Sequence, residues 1–250
     1  ILEPLFEAVK SRLEPMNAVE RLRTLFGMYR HGKESRFSWS WDSMIQSKRN
    51  WKNEILPSYM ESHKDYIEID GKYVSVLFAL TLPNSLDESK VMAELGNLTF
   101  PSMITLDHAP IPRIAVRNKL MAAGRNNERA IHMEQERRMK AKNFVAGVSY
   151  EKQKKKEEIE GYLEQLDDND ENGYFFSMLV TVLADSEEEL RNRIEAVRFI
   201  GEGLGGIEFV TYNFRQMKAF HTALPIGARE VDCMRCMLTS SLVAFQPFYS

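Results

Sequence analysis

The sequence predicts an α+β fold: a split, ferredoxin-like sheet built from two strand-helix-strand halves, with a long helical hairpin inserted between them. Three observations carry that prediction. Residues 174–227 read as strand, helix, strand and a docking segment; residues 73–106 repeat the first three of these; the residues between, 113–166, are rich in Arg, Lys, Glu, Gln and Met. In both copies a tyrosine, Tyr73 or Tyr174, stands twelve positions before the serine that opens the helix, Ser85 or Ser186.

The lead-in, residues 1–65, is helical and aromatic-rich. Leu5, Val9 and Leu13, then Val19, Leu22, Leu25 and Phe26, place apolar residues at helical spacing in two pieces interrupted near Pro15. A basic loop, residues 27–40, leads to Trp39, Trp41 and Trp51, set among Phe37, Arg36, Lys48, Arg49 and Lys52. Two readings are open for this cluster. It is a satellite core that fastens an irregular segment to the sheet, or it is a stacking platform for single-stranded nucleic acid, in which Trp39, Trp41, Trp51 and Arg49 are the contacts.

The first half of the α+β domain spans residues 66–112. Asp70-Gly71 is a preferred hairpin dipeptide, so Ile67 and Ile69 belong to a strand added before the one at 73–82. Ser85 and Glu88 form a capping-box pattern, Val91 and Leu95 share a helix face, Gly96 suits the helix end, and 103–106 returns as a strand.

Residues 113–172 form the inserted hairpin and an acidic connector. The first arm is basic, with Arg117, Lys119, Arg125, Arg129, Arg137, Arg138, Lys140 and Lys142; a break is expected at 143–150; the second arm runs from Lys152 to Lys156 into Glu157, Glu158 and Glu160. Such helices are solvated faces or arms that pack on a neighbouring subunit; together with the tryptophan cluster, the basic first arm also supports the alternative of a nucleic-acid-binding module. The second half, 173–227, has a strand at 175–183, the capping pair Ser186 and Glu189 ahead of Leu190, Ile194 and Val197, glycines at 201–206, and a strand at 207–212.

With 44% hydrophobic and 28% charged residues, the 250-residue chain reads as a soluble globular protein, and its net charge of −3 gives no overall attraction to nucleic acid or anionic lipid. No apolar run is long enough to cross a membrane, and Ile1-Leu2-Glu3-Pro4 is neither a signal peptide nor an initiator start, so the chain is expected to come from a longer protein. Two cysteines, Cys233 and Cys236, point to a reducing compartment.

Several motifs match in letters and fail in context. Gly27 to Lys33 has phosphate-loop spacing, but Glu34 occupies the magnesium-binding position and a charged helix, not a buried strand, precedes it. Gly201-x-Gly203-x-x-Gly206 follows a helix and precedes a strand, the reverse of a dinucleotide site. Cys233 and Cys236 lack a second ligand pair, and no metal-binding or catalytic set can be assembled. No cofactor is expected on this chain.

The C-terminal third carries a resemblance. Leu183-Ala184-Asp185-Ser186-Glu187-Glu188-Glu189-Leu190, then Tyr212-Asn213-Phe214-Arg215-Gln216, Ala219-Phe220 with Ala223-Leu224-Pro225-Ile226-Gly227, and Arg235, Thr239-Ser240, Leu242 to Phe245 and Pro247-Phe248 resemble the segment before the motor domain in the large ATPases of conjugative type IV secretion systems. Glu20-Arg21-Leu22, residues 51–57 and Lys72 to Leu77 are also similar, in the style of the versions carried by mobile elements of Gram-positive bacteria. The resemblance implies the accessory region of a hexameric motor at the cytoplasmic face of the membrane. Its partners would be the motor domain and inner-membrane components of the secretion apparatus, with ATP and magnesium bound by the parent protein downstream of Phe248. Residues 228–250 would then be a linker toward that motor, and Phe220, Leu224, Pro225 and Gly227 would fasten the docking segment.

Overall fold

Two long strands organise the sheet, because each is apolar on both faces. They are β3 (Lys72–Thr81), in which Val74, Val76, Leu77 and Ala79 are buried, and β5 (Gly173–Ala184), in which Phe176, Met178, Leu179, Val180 and Val182 are buried. A computed structural model of the protein describes residues 14–48, 50–82, 90–140, 149–168 and 171–245. Its architecture is mixed α/β, with an open antiparallel sheet.

β5 runs antiparallel to β3, pairing Tyr73 with Ala184 through to Phe78 with Leu179. The far edge of β3 is shared: β2 (Ile67–Ile69) takes its first residues and β6 (Glu208–Thr211) its last. β1 (Met60–Ser62) extends the sheet beyond β2. On the other side, β4 (Ser102–Ile111) pairs with β5 from Ser102–Val182 to Ile111–Gly173, and β7 (Arg235–Leu238) joins the beginning of β5 on its β3 side. All these pairings are antiparallel.

Helices cover both faces. On one, α4 (Val91–Gly96) and α7 (Glu187–Gly203) bury Val91, Leu95, Leu190, Ile194 and Val197 against Phe176, Met178 and Val180, with Phe245 over Phe176 at 4.5 Å between rings. On the other, α1 (Ala18–Tyr29) and α8 (Gln216–Ala223) set Tyr29, Ala219, Phe220 and Ala223 on Val74, Val76 and Leu179. α5 (Arg113–Lys140) and α6 (Tyr150–Asp168) leave the sheet through a third cluster of Ile111, Val116, Leu166 and Leu238. Along these two helices, Asn127 donates to the Lys152 carbonyl at 2.8 Å and Lys152 pairs with Glu134 at 2.7 Å.

The hairpin at Asp70-Gly71 forms as expected, both residues taking positive φ (48° and 79°). At the start of α7, Ser186 caps Glu189 N–H at 3.2 Å. The Glu189 carboxylate, however, accepts from Asp185 N–H at 2.9 Å, one residue earlier than a strict capping box. α1 has the full reciprocal box, between Asn17 and Glu20. Gly96 is the last helical residue and Asn97 the cap.

Other expectations need correction. Residues 228–250 are not simply a linker, since β7 bonds to β5 and Leu238, Ala244 and Phe245 are buried. The start of the docking run is helical from Gln216, since Gln216, Ala219, Phe220 and Ala223 give it one buried stripe. The basic loop at 27–40 begins inside α1 and contains a 3-10 turn at Glu34–Arg36. Leu5, Val9 and Leu13, the Ser85–Glu88 pair, Arg49, Lys142, the break at Asn143, and Pro247-Phe248 lie outside the described residues.

Candidate functional site

The run Ala219–Gly227, which carries the most specific part of the resemblance, divides at Leu224. Before it the chain is buried. Phe220 stands edge-on to Tyr29 with ring centres 5.6 Å apart, and Leu224 closes the same apolar layer. After it the chain is at the surface: Pro225, Ile226 and Gly227 are exposed, Ile226 N–H bonds to the Leu224 carbonyl at 2.8 Å, and Gly227 has φ +72°. Phe220 and Leu224 therefore do the fastening, whereas Pro225 and Gly227 shape a turn.

Gln216, at the first turn of α8, is the residue that local sequence patterns miss. Its buried side-chain amide accepts from Val76 N–H at 2.8 Å and donates to the Val76 carbonyl at 3.2 Å. Val76 lies where β2 has ended and β6 has not begun, so the glutamine supplies the missing rung of the ladder. Thr105 donates to the Ala223 carbonyl at 2.8 Å, and Arg229 grips Asp107 with two bonds of 2.5 and 2.6 Å. These ties fix the segment to β4 as well as β3. Burial, with Glu230 nearby, pushes the Tyr29 phenol up.

The tryptophans sit elsewhere, on two short helices, α2 (Trp41–Ser47) and α3 (Trp51–Ile55), capped by Ser40 and Asn50. Trp39 meets Trp41 edge-on at 5.7 Å. Trp41 remains 58% exposed, Ile45 72% and Trp51 45%, whereas Trp39 is half-buried and Phe37 packs on Phe26 with ring centres 5.3 Å apart, so only part of the cluster fastens the segment; Ile55 is also buried. An open concavity of about 450 Å³ lies among Trp39, Trp41, Met44, Ile45, Lys48 and Trp51. Lys52 lies 5.8 Å from the Trp51 ring centre.

A second cleft, of about 350 Å³, lies between α1 and the sheet and is lined by Met28, His31, Glu34, Met103, Thr181 and Phe220 among others. Thr181, one of its lining residues, has a buried hydroxyl with no hydrogen-bond partner among the described residues. Backbone N–H groups of Glu34 itself and of Gly32 hold the Glu34 carboxyl below its usual range.

The phosphate-loop lookalike has no cradle shape. Gly27 is within α1, and Lys33 pairs with Asp70 at 3.7 Å. Burial pushes the Tyr212 phenol up, its hydroxyl having no hydrogen-bond partner among the described residues, and the two cysteines are free thiols. Among the described residues, no group of three His, Cys, Asp or Glu side chains could hold a metal ion, and no helix is long and apolar enough to cross a membrane. Comparison with protein-family models and with curated proteins yields no match.

Proposed function

We propose that the chain is a non-catalytic interaction domain of a conjugative transfer ATPase, positioning the motor and contacting the secretion apparatus at the cytoplasmic face of the membrane. The observation that carries this reading is the seating of Ala219–Gly227. Its first part is locked into the sheet by Gln216, Phe220 and Leu224, and its second emerges at Pro225–Gly227 as an exposed turn. That arrangement suits a segment that transmits the position of one body to another. In the same reading the sheet is a split ferredoxin-like one: β5 lies between β3 and β4, and β3 lies between β5 and β6, so each half holds a strand of the other. ATP and magnesium belong to the motor of the parent protein, which assembles as a hexamer.

The test is the reading frame beyond Ser250. A strand followed by Gly-x-x-x-x-Gly-Lys-Ser/Thr and a helix, within roughly a hundred residues, is the expected result. A frame that ends without it removes the motor.

A second reading rests on the exposure of Trp41 and Trp51 beside Lys48 and Lys52: the concavity stacks the bases of single-stranded nucleic acid. Binding of an oligonucleotide that weakens steeply as salt rises is the expected outcome, because each neutralised phosphate releases counterions. Association that is weak and indifferent to salt removes this reading.

A further inference from the structure

We propose that the outer edge of β4 is a docking site for an extended segment of a partner polypeptide, which adds to the sheet as a further strand. Register decides which backbone groups of β4 face outward. Leu183 N–H donates to the Pro101 carbonyl at 3.3 Å, and the pairing continues in step from Ser102–Val182. In an antiparallel ladder, bonded and non-bonded pairs alternate, so Met103, Thr105 and Asp107 bond inward to β5. Ser102, Ile104, Leu106 and His108 therefore turn their N–H and C=O groups outward. Among the described residues, β4 pairs with β5 alone. The next outward position is Pro110, which has no N–H and ends the row. A long strand edge of this kind is a template that only another strand satisfies fully.

A second, independent observation gives the edge specificity. The 350 Å³ cleft is bounded by Pro101, Ser102 and Met103, the first residues of this same edge. Its walls are apolar at Met28, Met103 and Phe220; Thr181 lines it with a buried hydroxyl that has no partner among the described residues, and Glu34 stands at it as a carboxylate. The cleft thus suits a side chain that is apolar along its length and ends in a hydrogen-bonding group, as tyrosine is. A basic residue beside it complements Glu34.

A second copy of the chain fits less well. In the two-fold register that sets Ile104 against Leu106, the copy's Asp107, already held by its own Arg229, falls opposite Met103 and offers no apolar body to fill the cleft. The occupant is therefore a partner segment carrying tyrosine and a neighbouring lysine or arginine. This inference does not depend on the motor reading.

The test titrates the 15N-labelled chain with a peptide about eight residues long that alternates threonine and valine, with one tyrosine and one lysine. In the free chain, amides of Ile104, Leu106 and His108 should exchange with solvent quickly while those of Met103, Thr105 and Asp107 are protected. Peptide should protect the first three. N-methylation of its ladder-facing amides should weaken binding about tenfold or more. Thr181→Val should weaken the tyrosine peptide but not its phenylalanine counterpart. The proposal is overturned if the outward amides are already protected in the free chain, or if about 1 mM peptide leaves them unprotected. It is equally overturned if the N-methylated peptide binds as well as the parent, or if Thr181→Val does not distinguish the two peptides. A dimer that protects these amides without peptide would assign the edge to a second copy and overturn the partner.

Discussion

Phe220 contributes to stability through the cavity its loss would leave. Its ring is almost fully buried against Tyr29 and in the layer of Val74, Val76 and Leu179, one side of it backing the cleft beside α1. Phe220→Ala should cost about 3–5 kcal/mol, read from denaturant midpoints at unchanged slope. An unchanged midpoint would mean that α8 is not docked in solution. Lys72 and Asp185 offer a different test, on an exposed ion pair. Their hydrogen bond, with the lysine charge, holds the Asp185 carboxyl below 3.8. A carboxyl lowered by folding adds stability above its unfolded value and loses it as pH falls through the lowered one. Lys72→Met should raise the Asp185 midpoint back toward 3.8 in an NMR titration; a midpoint that stays put would show that the pair is not formed.

At the scale of elements, the approach of α7 to β6 depends on Gly201. A Cβ there would lie 2.4 Å from the carbonyl oxygen of Ile207, which immediately precedes β6, and 2.7 Å from the ring of Phe209 within it. Gly201→Ala should destabilise by about 1–3 kcal/mol, the range for overpacking, with helix and strand forced apart. Gly203→Ala is the control, since no atom of the described residues lies within 4 Å of a Cβ placed there. It should be neutral or slightly stabilising, and equal effects of the two changes would refute the close approach. The same glycines show what the sequence can and cannot tell. Their order after a helix and before a strand was enough to reject a nucleotide site, but only the crossing of two elements gives Gly201 its reason. The long strands, Asp70-Gly71 and the cap at Ser186 were legible because each is a local signal. Gln216 was not, since its partner Val76 is 140 residues away and a glutamine carries no local mark of burial. The tryptophan cluster was legible as a concentration of rings, whereas its exposure depends on how α2 and α3 lie.

The molecule as a whole is closed by its C-terminal residues, contrary to their reading as a linker. β7 bonds to the start of β5, Leu238 joins Ile111, Val116 and Leu166 at the root of the hairpin, and Phe245 packs on Phe176. Thr239 ties the same stretch to Asn172, donating N–H to its carbonyl at 3.0 Å. Removing everything after Gly227 would strip all three core clusters of buried side chains, Val231 among them, and leave the first residues of β5 without the β7 ladder. The loss of Phe245 and Leu238 alone amounts to several kcal/mol, about 2–5 for each large apolar side chain, set against a total stability of about 5–15 for a domain. A chain ending at Gly227 should therefore melt well below the 250-residue chain and lose exchange protection at Gly173 to Phe176 first, because β7 covers that stretch. If residues 228–250 were only a tether, the two chains would melt together, and the apolar surface of Phe176 would have to be satisfied by some other part of the fold.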